Sequence, residues 1–145
     1  MKLPIFRLLF LLIVLPMGLF SCKKDSPEPT NTDLVVAHEW HGKSVMANGM
    51  DVSEMPQVKD MLLDIKSTRL TLRRDGTYTA VFEQAGSTQT NTGTWSFKEN
   101  ETILFIDVLG ELTIKELNTR EMILLKEITN QGVTIKAEVT FVKNN

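Results

Sequence analysis

From Arg69 to Val142 the chain is a series of short strands broken by tight turns at intervals of roughly ten residues, and this rhythm restricts the fold more than any other feature. The last strand is the clearest. Val133, Ile135, Ala137, Val139 and Phe141 fall on one face, and Thr134, Lys136, Glu138 and Thr140 on the other. Arg69 to Arg73 alternates through Leu70 and Leu72, and Asp75-Gly76 is a strong two-residue hairpin signal before Thr77 to Phe82. Gln84 to Asn91 is polar and reads as a loop. Gly93 to Phe97 puts Trp95 and Phe97 on one face, and Lys98 to Glu101 turns the chain. Thr102 to Val108 is an apolar strand carrying Phe105, Gly110 marks a turn, and Glu111 to Leu117 alternates through Leu112 and Ile114. Asn118 to Arg120 turns again before the apolar strand Glu121 to Ile128. With a first strand between Leu34 and Met46, about eight strands result. A meander of that length leaves two open edges, and closure into a small antiparallel up-and-down barrel removes them.

One stretch departs from strand period. Ser53 is placed to cap a helix, Pro56 sits in its first turn, and Val58, Met61, Leu62 and Ile65 recur at helical spacing, which predicts one short helix after the first strand.

The N-terminus has a separate character. Lys2 and Arg7 precede an unbroken apolar run from Leu8 to Leu15, with Met17, Leu19 and Phe20 after it. That run is shorter than the ~20 residues a spanning helix needs and has the size and flanks of a signal-peptide core. It ends at Leu19-Phe20-Ser21-Cys22, which resembles the lipobox of bacterial lipoproteins. The resemblance implies cleavage before Cys22, lipidation of its thiol and attachment to a membrane; several acyl chains give stable anchoring where one is marginal. The alternative is an ordinary secretory leader followed by a free cysteine. Residues 22–33 are polar, with Pro27 and Pro29, and read as a flexible tether. Lys23-Lys24-Asp25 resembles the start of outer-membrane lipoproteins, implying the periplasmic face of the outer membrane or the cell surface. The expected organisation is thus leader 1–21, tether 22–33 and one β domain 34–145. That length forms one domain with a core of its own, and the single cysteine allows no disulfide within the chain.

Charge narrows the functional classes. Two of the 16 basic residues lie in the leader, so 14 remain against 18 acidic ones, a net −4. No basic footprint for nucleic acid is present; the Arg73-Arg74 pair reads as a solvated strand end. His38 and His41 are the only histidines, and residues three apart on a strand face opposite ways, which argues against a shared metal. No nucleophile elbow or phosphate-binding glycine loop occurs, and Glu99 and Glu101 fall in a turn. The expectation is a protein without catalytic residues, metal or cofactor.

Several phrases in the folded region resemble the lipocalin-like domains of bacterial lipoproteins. These are Glu39-Trp40-His41-Gly42 near the first strand, Asp75-Gly76-Thr77-Tyr78, Gly93-Thr94-Trp95-Ser96-Phe97 and Ile114-Lys115-Glu116-Leu117. His38 stands where that family often has a glycine two residues before the tryptophan. The resemblance implies a barrel that holds a small apolar ligand. Trp40, Tyr78, Phe82, Trp95, Phe97 and Phe105 are the candidates to line it. The same aromatic residues could instead fill the interior, since an eight-stranded barrel is only just wide enough for one small ligand. The chain would then be a structural or protein-interaction module of the envelope. Met46, Met50, Met55 and Met61 supply an adaptable contact surface for such a partner.

Overall fold

The computed structural model describes residues 27–130 and 133–144. The leader and Cys22 lie outside the described residues. A short helix, α1 (Asn31–Val35), opens the fold. Thr30 caps it, accepting the Asp33 amide, while the Asp33 carboxylate accepts the Thr30 amide in return.

The strands follow as β1 (Trp40–Ala47), β2 (Met50–Asp51), β3 (Arg69–Leu72), β4 (Thr77–Gln84), β5 (Ser87–Lys98), β6 (Ile103–Ile106), β7 (Gly110–Leu117), β8 (Glu121–Asn130) and β9 (Val133–Lys143). Each is antiparallel to the next around the sheet, and β1 pairs with β9 from Trp40↔Lys143 to Ala47↔Ala137. That last ladder closes the ring. β2 is a two-residue flap on β1, so the wall is an eight-stranded up-and-down barrel, the architecture that the sequence rhythm predicts. A bulge at Lys43 lets β1 keep Trp40, Val45 and Ala47 all facing inward.

The helix after the first strand, α2 (Pro56–Leu62), is shorter than Ser53 to Ile65. Pro56 occupies its first position, and Ser53 does not cap it. The Ser53 side chain is buried, accepting the Val45 amide at 2.7 Å and donating to the Asp51 carboxylate. Ser53 therefore satisfies β1 where no strand partner reaches it. The helix stops at Leu63, whose φ is +66°, and Ile65–Ser67 forms a single 3-10 turn.

This segment replaces a length of barrel wall. β3 pairs with β1 only at Trp40↔Leu70 and His41↔Arg69. Beyond that point Gly42 donates to Thr68 O, Val52 to Val45 O and Glu83 to the Ser67 hydroxyl. Val52, Val58, Leu62 and Ile65 are buried in the gap between β1 and β4. A Cβ on Gly42 would stand 1.7 Å from Ile65 O, so only glycine admits the crossing.

The polar stretch Gln84 to Asn91 is a hairpin, not a loop. Ala85 and Gly86 both have positive φ, as in the I′ turn, and Ser87 through Thr92 pairs with β4. Exposed β-branched Thr88, Thr90 and Thr92 suit a strand that buries neither face, and for that reason the stretch shows no apolar alternation.

The core lies inside the ring. Trp40, Val45, Leu72, Tyr78, Leu104, Ile106, Leu112, Met122, Leu124 and Phe141 are each at most 1% exposed. A side chain bordering an empty chamber would keep surface that water could touch. These side chains keep almost none, so the part of the barrel they occupy is filled.

Candidate functional site

The two ends of the barrel differ. One carries α1 and the turns 73–76, 99–102 and 118–120; the other carries the β4–β5 and β8–β9 hairpins and the low β6–β7 turn. At the α1 end the Trp40 indole donates to Val35 O at 2.8 Å, and Val35 is fully buried. The Asn31 side chain reaches Glu101 O, and Arg74 pairs with Asp33 at 2.7 Å. Arg74 and the Thr30 hydroxyl hold the Asp33 carboxyl down at about 2, against an ordinary 3.8. The helix thus closes this end.

Of the six aromatic residues singled out, five lie on the inner face. Trp40 and Tyr78 are fully buried. Trp95 donates its indole N–H to Arg73 O at 2.9 Å and meets Phe97 edge-on at 5.4 Å. Phe82 is buried beside a cleft of about 190 Å³ that also involves Lys59, Leu63 and Asp64. Phe105 does not belong with them. The pairing Trp95↔Ile106 and Phe97↔Leu104 turns Leu104 and Ile106 inward and Phe105 outward, where the Lys98 ammonium stands 4.3 Å from its ring. This corrects the reading of Phe105 as cavity-lining. Thr102 to Val108 has no alternation, so only the partner strand decides its parity.

Tyr78 is committed to a latch. Its hydroxyl donates to Asp107 Oδ1 at 2.8 Å, and the Thr94 amide donates to Asp107 Oδ2 at 2.8 Å. The Thr94 amide, then the Tyr78 hydroxyl, lower the Asp107 carboxyl, while burial and that carboxylate raise the Tyr78 phenol. A Cβ on Gly93 would lie 2.3 Å from the Asp107 carboxylate. The Gly-Thr-Trp and Asp-Gly-Thr-Tyr phrases therefore meet at one structural joint, which fastens the β6–β7 turn to β4 and β5. Read from the sequence, the strand runs on to Val108 and Asp107 has no role, whereas in the structure the strand ends at Ile106 and Asp107 opens the turn.

The histidines do not meet. His38 precedes β1 rather than sitting on it, and its ring packs on Trp40 with centroids 4.2 Å apart. Burial, then the nearby Lys143 ammonium, lower its pKa, and its Nε2 is enclosed without a partner. His41 contacts Glu39 at 2.9 Å. Among the described residues no three of His, Cys, Asp and Glu gather as a metal site, and no helix is long and apolar enough to cross a membrane.

At the other end the wall parts. The β7–β8 ladder runs only from Leu117↔Met122 to Thr113↔Leu125. Gly110 and Leu112 pair with β6 alone, and Lys126 to Ile128 pair with β9 alone. Lys126 stands at the parting. Its register with Ala137 places it on the inner face, in series with Met122, Leu124 and Ile128. Its ammonium reaches across to Leu109 O at 2.6 Å and Glu111 O at 3.5 Å. A cleft of about 300 Å³ opens here, bordered by Ile103, Thr113, Leu125 and Lys136. Lys126 was legible only as a charge interrupting the inward apolar series of β8.

No family model and no curated protein matches this chain. Similar solved structures are of an odorant-binding protein from bovine nasal mucosa, 15% identical, covering 84% of this chain and 78% of that one with a TM-score of 0.49. The bovine protein in complex with a selenium-containing odorant is 14% identical over 85% of this chain and 78% of that one, also at 0.49. With its natural ligand it is 14% identical over 84% and 78%, at 0.48. The closure of the present barrel rests on its own ladders, β1 with β3 on one side and with β9 on the other. The site these ladders leave is the parted end, with one inward-facing cation above an aliphatic interior.

Proposed function

We propose that this chain is a lipid-anchored barrel of the bacterial cell envelope, held through Cys22 at the outer membrane, which takes a small apolar molecule at the parted end of its wall. The carrying observation for binding is the separation of β7 from β8 beyond Thr113–Leu125, beside which a cleft of about 300 Å³ lies against Ile103, Leu125 and the surrounding polar side chains, with Lys126 at its inner edge. That volume is at the lower edge of what small-molecule sites occupy. The filled interior and the helix-capped end argue against a deep chamber running the length of the barrel. Anchoring is supported by the basic start, the apolar run and the lipobox-like Leu19-Phe20-Ser21-Cys22. The chain enters the fold at α1, so a tether from Cys22 joins the barrel at its closed end.

Two experiments test this. Cys22→Ala should move the protein from the membrane to the soluble fraction; undiminished membrane attachment refutes lipidation there. Native mass spectrometry of the protein purified from its own cells should show a copurifying apolar molecule, and its repeated absence removes the binding reading. A second reading, a protein-interaction module with a non-binding interior, is favoured by the packed core and by Met50, Met55 and Met61, exposed by 62%, 48% and 43% around α2. Crosslinking from Met55 to an envelope protein, with no copurifying small molecule, would select it.

A further inference from the structure

We infer that the outer edge of β5 from Thr88 to Thr92 pairs with the same edge of a second copy of this chain, joining two barrels through one antiparallel ladder.

The β4–β5 hairpin stands taller than the wall beside it. β4 pairs with β5 without a break from Thr77↔Thr94 to Gln84↔Ser87, whereas β6 pairs with β5 only from Trp95↔Ile106 to Lys98↔Ile103. The two-residue turn at Ala85-Gly86 makes Gln84 and Ser87 a pair that exchanges both backbone hydrogen bonds. Alternation then directs the N–H and C=O of Gln89, Asn91 and Gly93 toward β4, and those of Thr88, Thr90, Thr92 and Thr94 the other way. Thr94 obeys this parity: its amide donates to Asp107 Oδ2, and its carbonyl accepts the Asp107 amide at 3.1 Å. The ladder on that side stops there. Among the described residues nothing pairs with the outward N–H and C=O of Thr88, Thr90 and Thr92, and all three threonines are exposed.

The chemistry of this edge favours its own copy. Open edges are normally blunted by charge, proline or a bulge, because any extended chain can add to them. The β8 edge, left open where β7 parts from it, follows that rule: it carries Lys126 and Glu127, and the Lys126 ammonium reaches across to Leu109 O. Ser87 to Thr94 has no charge, no proline and no bulge. An antiparallel pair centred on Thr90 sets Thr90 opposite its twin and Thr88 opposite Thr92 of the other copy. Each of these pairs exchanges two hydrogen bonds, so every outward group from Thr88 to Thr92 finds a partner. Threonine opposite threonine is a favourable cross-strand pair. Glu83, which accepts the Thr88 hydroxyl at 2.6 Å, stays in register with Thr88 and does not meet its twin. A net acidic chain can thus approach its copy here without opposing like charges. The contact is isologous and closes at two copies.

The test uses the chain from Lys23 onward, since every element of the described fold lies within residues 27–144. Sedimentation and backbone amide shifts are followed from about 20 μM to about 2 mM. So short a ladder buries less than a standard interface, so the midpoint from monomer to dimer should fall at about 0.1–1 mM. With rising concentration the amides of Thr88, Thr90 and Thr92 should move downfield, while those of Gln89 and Asn91, already bonded to β4, move little. Thr90→Lys sets like charges opposite each other at the centre and should weaken the dimer about tenfold or more, whereas Thr90→Val should stay within about threefold of the parent. If Thr90→Lys fails to fold, Thr90→Glu takes its place with the same expectation. A monomer throughout, with unmoved edge amides, overturns the inference. So does a dimer that the charged variant leaves intact, a species larger than a dimer, or concentration-dependent shifts confined to α2 and Met50.

Discussion

The two ends of this barrel are made from the same eight strands, yet one is sealed and the other parted. At the sealed end α1 lies across the opening, Trp40 is tied to it through Val35 O, and Arg74 ties it to the wall through Asp33. At the parted end β7 and β8 separate, a helix and a 3-10 turn stand in for a strand, and a lysine spans to the β6–β7 turn. The difference lies in how the backbone is joined and not in burial: Trp95 at the sealed end keeps 8% of its surface, and Phe82 and Ile128 toward the other end keep 7% and 6%. A barrel that must hold its shape and still admit something can divide the two tasks between its ends.

The contrast is open to attack by mutation. Trp40→Ala should cost about 3–5 kcal/mol in urea unfolding, because a fully buried indole and its hydrogen bond are removed from a packed site. Ile128→Ala should cost about 2 kcal/mol, at the low end for such a truncation, because the parted wall can relax around it. Equal losses at the two positions would erase the distinction between packed and loose ends.

The latch between the ends offers a smaller and more specific effect. Gly93→Ala should expel the Asp107 carboxylate and cost about 2 kcal/mol, and Tyr78→Phe about 1 kcal/mol. The double variant should cost less than the sum, since both changes break one joint. Strict additivity in chemical denaturation would show that Tyr78 and Gly93 act separately.

The smallest effect is a pH dependence at the sealed end. The Asp33 carboxyl is held at about 2, below its ordinary 3.8, so its contribution is complete above the ordinary value and is lost as pH falls toward 2. Its group is exposed, so the change should loosen the docking of α1 rather than unfold the barrel. A carboxyl titration followed by NMR should find Asp33 near 2, moving up toward 3.8 in Arg74→Ala. An unshifted value in that variant would show that Arg74 does not fasten α1.

Much of this fold is legible along the chain. Asp75-Gly76 marks a hairpin because the turn needs a positive φ, and Gly76 adopts +82°. The inward course of β9 is visible in its strict alternation. Other elements mislead for identifiable reasons. Gln84–Asn91 is polar on both faces and resembles a loop, although its backbone is paired throughout with β4 from Ser87 onward. Ser53 has the chemistry of a helix cap, but the unpaired Val45 amide claims its hydroxyl. The candidate site was legible only in part. Trp40, Tyr78 and Trp95 are inward as their alternation suggests, Phe105 is outward, and Lys126 is a lone charge in an apolar strand whose meaning depends on the strand beside it.

What the amino-acid order determined by itself is the number of wall strands and the places where they turn. Both follow from local chemistry, the two-residue period of a strand and the few residues that tolerate a turn's dihedrals. The tertiary structure alone decided which face of an unalternating strand looks inward, where the wall parts, and which donor meets which orphaned acceptor. Those outcomes depend on register between strands far apart in sequence, and a shift of one residue in that register exchanges inside for outside.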